Sequence, residues 1–332
     1  MQDTILVTGA TGFVGSSVAR ACVARGLAVR VLARPGSDRR NLSGFACEVA
    51  EGDLTDPASL VRAVAGCRFV AHVAADYRIW VPDPAAMARA NVDGSVALLR
   101  AAQAVGVERI VYCSSVAALG LTGTEAPADE LTKVDPARIV GVYKRSKYAA
   151  EQAVLALVRD EGVPAVIVNP AAPIGPRDIK PTPTGRMIAD AASGRMPAYV
   201  DTGLCAVHVD DVAEGHLLAL ERGVAGERYI LGGENLSLRA LLGVVAEVTG
   251  RRAPRVRLPN AALWPVALGF EAWAHLSGRE PMVTRDHLRM ARKKMFFSSA
   301  KAARELGYAP RPVRDAVADA VAWFRANGMV KP

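Results

Sequence analysis

Ile5, Leu6 and Val7 form a short apolar run that stops at Thr8-Gly9, and Gly12 and Gly15 follow before the helix-like stretch Ser16 to Arg25. Together these features read as a strand, a tight glycine turn and a helix start. The first glycine turns the chain, the second lets backbone amides approach an anion, and the third lets the helix pack close to the strand. Unpaired amides and partial positive charge at the helix N-terminus then make an anion site that suits a pyrophosphate. A chain that opens this way and goes on alternating strands with helices is expected to be α/β, built on a doubly wound parallel sheet.

At 332 residues, 51% of them hydrophobic, the chain can bury a large core, which excludes a disordered protein. Five cysteines, Cys22, Cys47, Cys67, Cys113 and Cys205, are odd in number and widely spaced, with no C-x-x-C pair, so neither a disulfide framework nor a zinc site is expected. The five histidines also lack ligand spacing, and no metal is expected. Met1-Gln2-Asp3-Thr4 runs directly into the first strand, so no signal peptide is expected and the protein reads as reduced and cytoplasmic. The net charge of +8 is compatible with a phosphorylated ligand or an anionic lipid surface. Basic residues concentrate in Arg285 to Lys294, but no aromatic residues interleave with them, which argues against nucleic acid.

Val14, Val18, Cys22 and Val23 recur at helical spacing up to Gly26, and Ala28 to Ala33 reads as a second strand. The residue closing this strand selects the cofactor: an acid binds a ribose 2′-hydroxyl, whereas arginine accommodates a 2′-phosphate. Here it is Arg34, with Arg39 and Arg40 nearby and Asp38 four residues late, which favours NADP over NAD. Val49 and Gly52-Asp53-Leu54 end a third strand, placing Asp53 to meet an adenine amine, and Asp56 before Pro57 reads as an N-cap. Strand four, Phe69 to Val73, holds His72 as a packed residue and leads into a loop with Tyr77 and Trp80 as candidate substrate contacts. Met87 to Val105 reads as one long helix, and Ile110 to Cys113 as strand five.

Strand five ends in Ser114-Ser115, and Tyr143-Lys144-Arg145-Ser146-Lys147 follows on a helix. Tyr143 and Lys147 stand four residues apart and share one helix face, so both can enter one cleft. A phenol of ordinary pKa about 10 transfers protons poorly at neutral pH. A nearby ammonium and a nicotinamide cation favour the phenolate; lowering the pKa by about 3 units takes roughly 4 kcal/mol, much of which one lysine in a desolvated cleft can supply.

These residues resemble the extended branch of the short-chain dehydrogenase/reductase superfamily. The resemblance runs through Thr8-Gly9-Ala10-Thr11-Gly12-Phe13-Val14-Gly15, Gly52-Asp53-Leu54, His72-Val73-Ala74-Ala75, Ser114-Ser115, Tyr143 to Lys147, and Asn169-Pro170. It implies a Rossmann domain with Tyr143 as general acid/base, Lys147 holding the nicotinamide ribose and Ser115 orienting the substrate oxygen. It also implies cofactor contacts from Gly9, Thr11, Gly12, Phe13, Val14, Gly15, Arg34, Asp53, Leu54, Ala74, Tyr143, Lys147 and Pro170. Extended dehydratases carry Asp-Glu after the serine, whereas this chain has Val116-Ala117, which weighs against dehydration. Within the branch the chain is similar to the dihydroflavonol reductase and 3β-hydroxysteroid dehydrogenase group.

Residues 169–178, 196–203 and 208–216 further resemble hopanoid-associated sugar epimerases. That likeness implies a sugar or lipid-linked polyol substrate, with Arg177 and Tyr199 as candidate contacts. The loop from Pro170 to Pro183, with Arg177, Lys180 and Arg186, could hold a phosphate or sugar or could be a solvated lid edge. Asp210 and Asp211 read as caps of a following helix rather than as metal ligands. Leu258 to Leu276 is apolar but broken by Pro259, Pro265 and Gly269. It is expected to be a buried helix over the substrate site, the alternative being an interfacial helix on the inner face of a membrane. Asp315 to Gly328 is an amphipathic helix.

The expected division is a nucleotide domain of residues 1–170 completed by 206–225, and a substrate domain of 171–205 and 226–332. The family resemblance implies a homodimer pairing through residues 84–105 and 136–160. A reductase of the dihydroflavonol type is an alternative to a sugar epimerase, and a non-catalytic dinucleotide sensor is an alternative of a different class. A sensor has no need of Ser115, Tyr143 and Lys147.

Overall fold

The computed structural model describes residues 2–76, 78, 81, 83–277 and 284–330. Six strands come first: β1 (Thr4–Thr8), β2 (Ala28–Ala33), β3 (Glu48–Glu51), β4 (Phe69–His72), β5 (Arg109–Cys113) and β6 (Ala165–Pro170). Short strands β7 (Ala172–Ile174), β8 (Ala198–Val200) and β9 (Gly203–His208) follow. After them come β10 (Arg228–Leu231), β11 (Glu234–Ser237), β12 (Val256–Leu258) and β13 (Lys294–Met295). The helices are α1 (Phe13–Ala24), α2 (Pro57–Val64), α3 (Pro84–Ala88), α4 (Gly94–Ala104), α5 (Val142–Glu161) and α6 (Pro183–Ala192). They continue with α7 (Val209–Arg222), α8 (Leu238–Thr249), α9 (Trp264–Ser277), α10 (Arg285–Ala291), α11 (Ala300–Leu306) and α12 (Val313–Ala326).

Seven strands form one parallel sheet in the order β10-β6-β5-β4-β1-β2-β3. Its central strands are apolar throughout because helices cover both faces. On one face Ile5, Val7, Val111 and Val168 join residues of α1 and α7, including Val18 and Leu217, in one core. On the other Leu6, Val70, Ile110 and Ile167 join Leu60, Leu99 and Val154 of α2, α4 and α5. The chain leaves β1 in opposite directions toward β2 and β4, so the strand order reverses there. A cleft at the carboxyl ends of these strands is where such a sheet binds ligands.

A second sheet, β11-β9-β13 with β7 also on β9, and the pair β12-β8 lie beyond this layer. Helices α6, α8 and α12 close a third core in which Val317, Ala320, Val321 and Phe324 are buried, as the amphipathic pattern of the tail requires. Two boundaries differ from the expected division. Strand β10 extends the large sheet beside β6, so 228–231 belong to the first unit, whereas β9, which includes 206–208, belongs to the second sheet.

The stretch expected to be one helix from Met87 to Val105 is α3 and α4 joined by a π-helical turn, Arg89–Asp93. The third strand stops at Glu51, before Gly52-Asp53-Leu54. Helix α9 is not the buried roof expected of it: Ala267 and Ala274 are buried, while Val266, Leu268 and Trp273 are exposed. Among the described residues no helix is long and apolar enough to cross a membrane. All five cysteines are free thiols.

Candidate active site

The opening turn is sterically fixed. Gly9 has φ +74°, and a Cβ there would lie 2.7 Å from the Ala74 amide nitrogen at the end of β4. A Cβ on Gly15 would lie 2.2 Å from the Gly9 carbonyl oxygen, so α1 can approach β1 this closely only with glycine. Gly12 is the N-cap of α1, no side chain caps the helix, and no acid occupies its first turn. The first-turn amides, from Phe13 and Val14 onward, therefore remain available to an anion. Thr11 in the same turn uses its carbonyl to accept from Asn41 Nδ2 at 3.3 Å. This glycine cradle, with an uncapped helix end above it, fits the diphosphate of a dinucleotide.

Arg34 leaves the end of β2 with its side chain 74% exposed and its Nε 4.0 Å from Asp53 Oδ2. Burial raises the Asp53 pKa, but the Thr55 hydroxyl and amide, with Arg34, more than offset this and hold it below the ordinary carboxylate range. Arg40 is committed to Asp38 and Arg39 to Glu51, leaving Arg34 as the less engaged cation of the three. Asp56 caps α2 by accepting from the Ala58 amide at 3.1 Å. Leu54 packs against the start of α4, where a Cβ on Gly94 would lie 2.8 Å from Leu54 Cβ.

At the end of β5 the Ser115 hydroxyl accepts from the Ala117 amide at 3.1 Å and caps a 3-10 turn, Val116–Ala118. Its hydrogen remains free to donate, and the hydroxyl stands beside the Tyr143 phenol. Lys147, one turn along α5, is 3% exposed, donates from Nζ to the Cys113 carbonyl at 2.9 Å and stands 5.1 Å above the Tyr112 ring. The sheet edge and α5 thus bring Ser115, Tyr143 and Lys147 together. Burial pushes the Tyr143 pKa up; Lys147 and Ser115 pull it down, but burial prevails. The lowering expected of the phenol draws on the nicotinamide cation as well as on the lysine, and among the protein's own groups burial is the larger influence.

The sequence reading missed the groups that hold this site in place. Thr8 Oγ accepts from the Val73 and Ala74 amides, each at 3.1 Å, and so gives its hydrogen to His72 Nδ1 at 2.8 Å. His72 Nε2 meets Ser95 Oγ at 2.9 Å, and Ser95 donates to the Asn91 carbonyl at 2.6 Å. His72 is accordingly a neutral, packed strand residue with its proton on Nε2, and burial with Lys147 nearby lowers its pKa to about 3. Asn91, in the π-helical turn, donates to the Asp76 carbonyl at 2.9 Å and to Ser146 Oγ at 3.1 Å. Ser146 in turn donates to the Tyr143 carbonyl at 2.8 Å. Asn169 donates to the Ser115 carbonyl at 3.0 Å and to Glu151 at 2.6 Å, and Glu151 is fully buried with Arg228 at 3.4 Å. Two buried acceptors near these residues, Ser114 Oγ and Asn169 Oδ1, have no hydrogen-bond partner among the described residues.

Of the candidate substrate residues, Arg177 and Tyr199 are described and stand on separate elements, the loop after β7 and strand β8. Tyr77 and Trp80 lie outside the described residues. Arg177, with φ +76°, turns its guanidinium to Asp210 and to Ser17 Oγ at 3.1 Å, while its carbonyl accepts from Asn41 at 3.1 Å. It joins α1, α7 and the loop after β7 and is not held out toward a sugar. Lys180 and Arg186 are exposed. Tyr199 is half-buried on β8, opposite Arg257 of β12. Pro170 closes β6. Asp210 and Asp211 do not cap α7: the His208 ring nitrogen accepts from the Asp210 amide at 2.9 Å, and the acids instead pair with Arg177 and Arg311. The histidine ring reaches that amide from the N-cap position itself, a competitor that the acidic pair masked in the sequence.

Residues 5–232 match the family model described as the NAD dependent epimerase/dehydratase family. The chain is 44% identical over 340 residues to a Synechocystis protein that carries the provisional name dihydroflavonol 4-reductase, covering all of this chain and 97% of that one. It is 37% identical over 329 residues to the sterol demethylase protein B of Methylococcus capsulatus, covering 98% of this chain and all of that one. Among solved structures, gox2253 is 58% identical with a TM-score of 0.89, each chain covered in full. With the parallel sheet and the glycine cradle, these likenesses identify the chain as a member of the NAD dependent epimerase/dehydratase family, an NAD(P)-dependent enzyme of the extended short-chain dehydrogenase/reductase type.

Proposed function

We propose that the protein catalyses NADP(H)-dependent hydride exchange at a hydroxyl or ketone carbon of a sugar or lipid-linked polyol. The observation that carries this reading is the convergence of Ser115 and the Tyr143 phenol beside Lys147, which is buried one turn along α5. Tyr143 passes its proton to the substrate oxygen or takes one from it, and Ser115 donates a hydrogen bond to the same oxygen. Lys147 holds the nicotinamide ribose and stabilises the phenolate when the proton has left. Gly9, Thr11, Gly12, Phe13, Val14 and Gly15 cradle the diphosphate, with Leu54, Ala74 and Pro170 lining the cleft and Asp53 at the adenine. Arg34 meets a 2′-phosphate, which makes NADP the preferred dinucleotide. The bound nicotinamide supplies or accepts the hydride.

Net ketone reduction is the second reading, favoured by the reductase name of the Synechocystis relative. Net NADPH oxidation with a ketone substrate marks a reductase. Exchange of a substrate C–H label without net NADPH consumption marks an epimerase. The proposed assembly is a homodimer through residues 84–105 and 136–160; sedimentation equilibrium giving only a 35.0 kDa species removes it.

A further inference from the structure

We infer that the exposed face of α9 and the basic segments around it form a docking surface for an anionic lipid bilayer. The helix packs inward through two small residues, Ala267 and Ala274, which are 0% and 2% exposed. Its opposite arc presents Pro265, Val266, Leu268, Gly269 and Trp273 to solvent, without a charged residue among them. Trp273 is 61% exposed, Leu268 49% and Val266 46%, so these three apolar groups point away from the core, while Trp264 and Phe270 are half-buried. An apolar helical face carrying tryptophan, set among basic residues, is the pattern of a helix that lies in a membrane interface.

The segments flanking this helix in the sequence are strongly basic. Among the described residues from 251 to 294 there are nine lysines and arginines against two acids, Glu271 and Asp286, and of the nine Arg257 pairs with Asp201 and Lys294 with Glu125 from outside the segment. Arg279 and Glu280, outside the described residues, cancel one another. Arg252, Arg255, Arg292 and Lys293 are exposed. Helix α10 packs on α9, with Arg289 5.9 Å from the centre of the Trp264 ring, so α10 and its cations border the first turn of α9. A second copy of this chain would set like charge against like, and nucleic acid would leave the aliphatic arc uncovered. Anionic lipid satisfies both parts: headgroups meet the arginines and the acyl boundary takes Val266, Leu268 and Trp273.

The surface also adjoins the catalytic helix. Asp286 Oδ2 lies 4.0 Å from the position a Cβ would take on Gly141, two residues before Tyr143. Lys144 Nζ, beside Tyr143, is 3.6 Å from Met295 Sδ on β13, just beyond Lys293.

The test is co-sedimentation of the full chain with vesicles of phosphatidylcholine, with and without phosphatidylglycerol, at low and high salt. The protein is expected to pellet with the anionic vesicles and to be released by salt. Arg252→Gln, Arg255→Gln and Arg292→Gln together should lower partitioning by about a hundredfold, at about fivefold per charge. Val266→Glu with Leu268→Glu should abolish it with the melting temperature and NADPH-induced thermal shift retained. Equal binding to neutral vesicles, no binding to either, or charge variants that bind like the parent would overturn the inference.

Discussion

Thr8 Oγ lies 2.8 Å from His72 Nδ1, tying the residue before the glycine turn to the end of the neighbouring strand. Because Thr8 also accepts two backbone amides, its loss leaves three polar groups unmet, the buried His72 nitrogen and the half-buried Val73 and Ala74 amides. Thr8→Val should cost about 3 kcal/mol or more in denaturant unfolding, whereas Thr8→Ser should recover most of it. Equal midpoints for the two variants would show that the chain of hydrogen bonds carries no stability.

Arg34 decides the proposed dinucleotide preference. Arg34→Asp should weaken NADPH by about 1.5–3 kcal/mol, the worth of a hydrogen bond to a charged group, and leave NADH little changed. Dissociation constants for both dinucleotides check this. Stronger binding of NADH than NADPH by the parent protein would reverse the assignment.

Glycines with different surroundings should respond in opposite senses. At Gly15 a methyl would lie 2.2 Å from the Gly9 carbonyl, so Gly15→Ala must shift α1 and should cost about 1–3 kcal/mol together with dinucleotide affinity. A methyl at Gly243, inside α8, meets nothing within 4 Å, and Gly243→Ala should stabilise by about 0.5–1 kcal/mol. Thermal melts with and without NADPH separate the two.

Buried neutral histidines make the fold acid-sensitive. Burial lowers His72 to about 3 and His216 to about 4, so below pH 6.5 the unfolded chain binds protons that the folded one refuses. Stability is then lost as pH falls, by about 2 kcal/mol per histidine at pH 5. Asp178 acts oppositely: burial raises it to about 6, so its penalty shrinks as pH falls through that value. His216→Gln should flatten the acid loss and Asp178→Asn should steepen it. Unfolding free energies at pH 7.5 and pH 5 that fall equally in the parent and both variants would contradict this assignment.

The sheet, its cofactor cradle and the Tyr143–Lys147 pair were legible in the sequence because each rests on local spacing: glycines at three-residue intervals, apolar runs, a four-residue helical repeat. Asn91 was not, since a π-helical turn has no distinct periodicity and the run from Met87 to Val105 looks continuous. His72 was read as packed, but its partners Thr8 and Ser95 are 64 and 23 residues away and become neighbours only when β1, β4 and α4 assemble. Arg177 misled for a related reason. Its charge suggested a ligand, and the acid that claims it lies 33 residues on. The placement of β10 beside β6 is likewise a matter of sheet order, which a four-residue apolar run does not encode.

The central claim is that Tyr143 moves the proton while the rest of the cleft holds the dinucleotide. Steady-state turnover of Tyr143→Phe, measured with NADPH and a panel of ketone and polyol substrates beside its NADPH-induced thermal shift, tests this most directly. The account predicts a shift close to that of the parent and a rate lower by about two to four orders of magnitude. A phenylalanine variant that turns over at the parent's rate would contradict it.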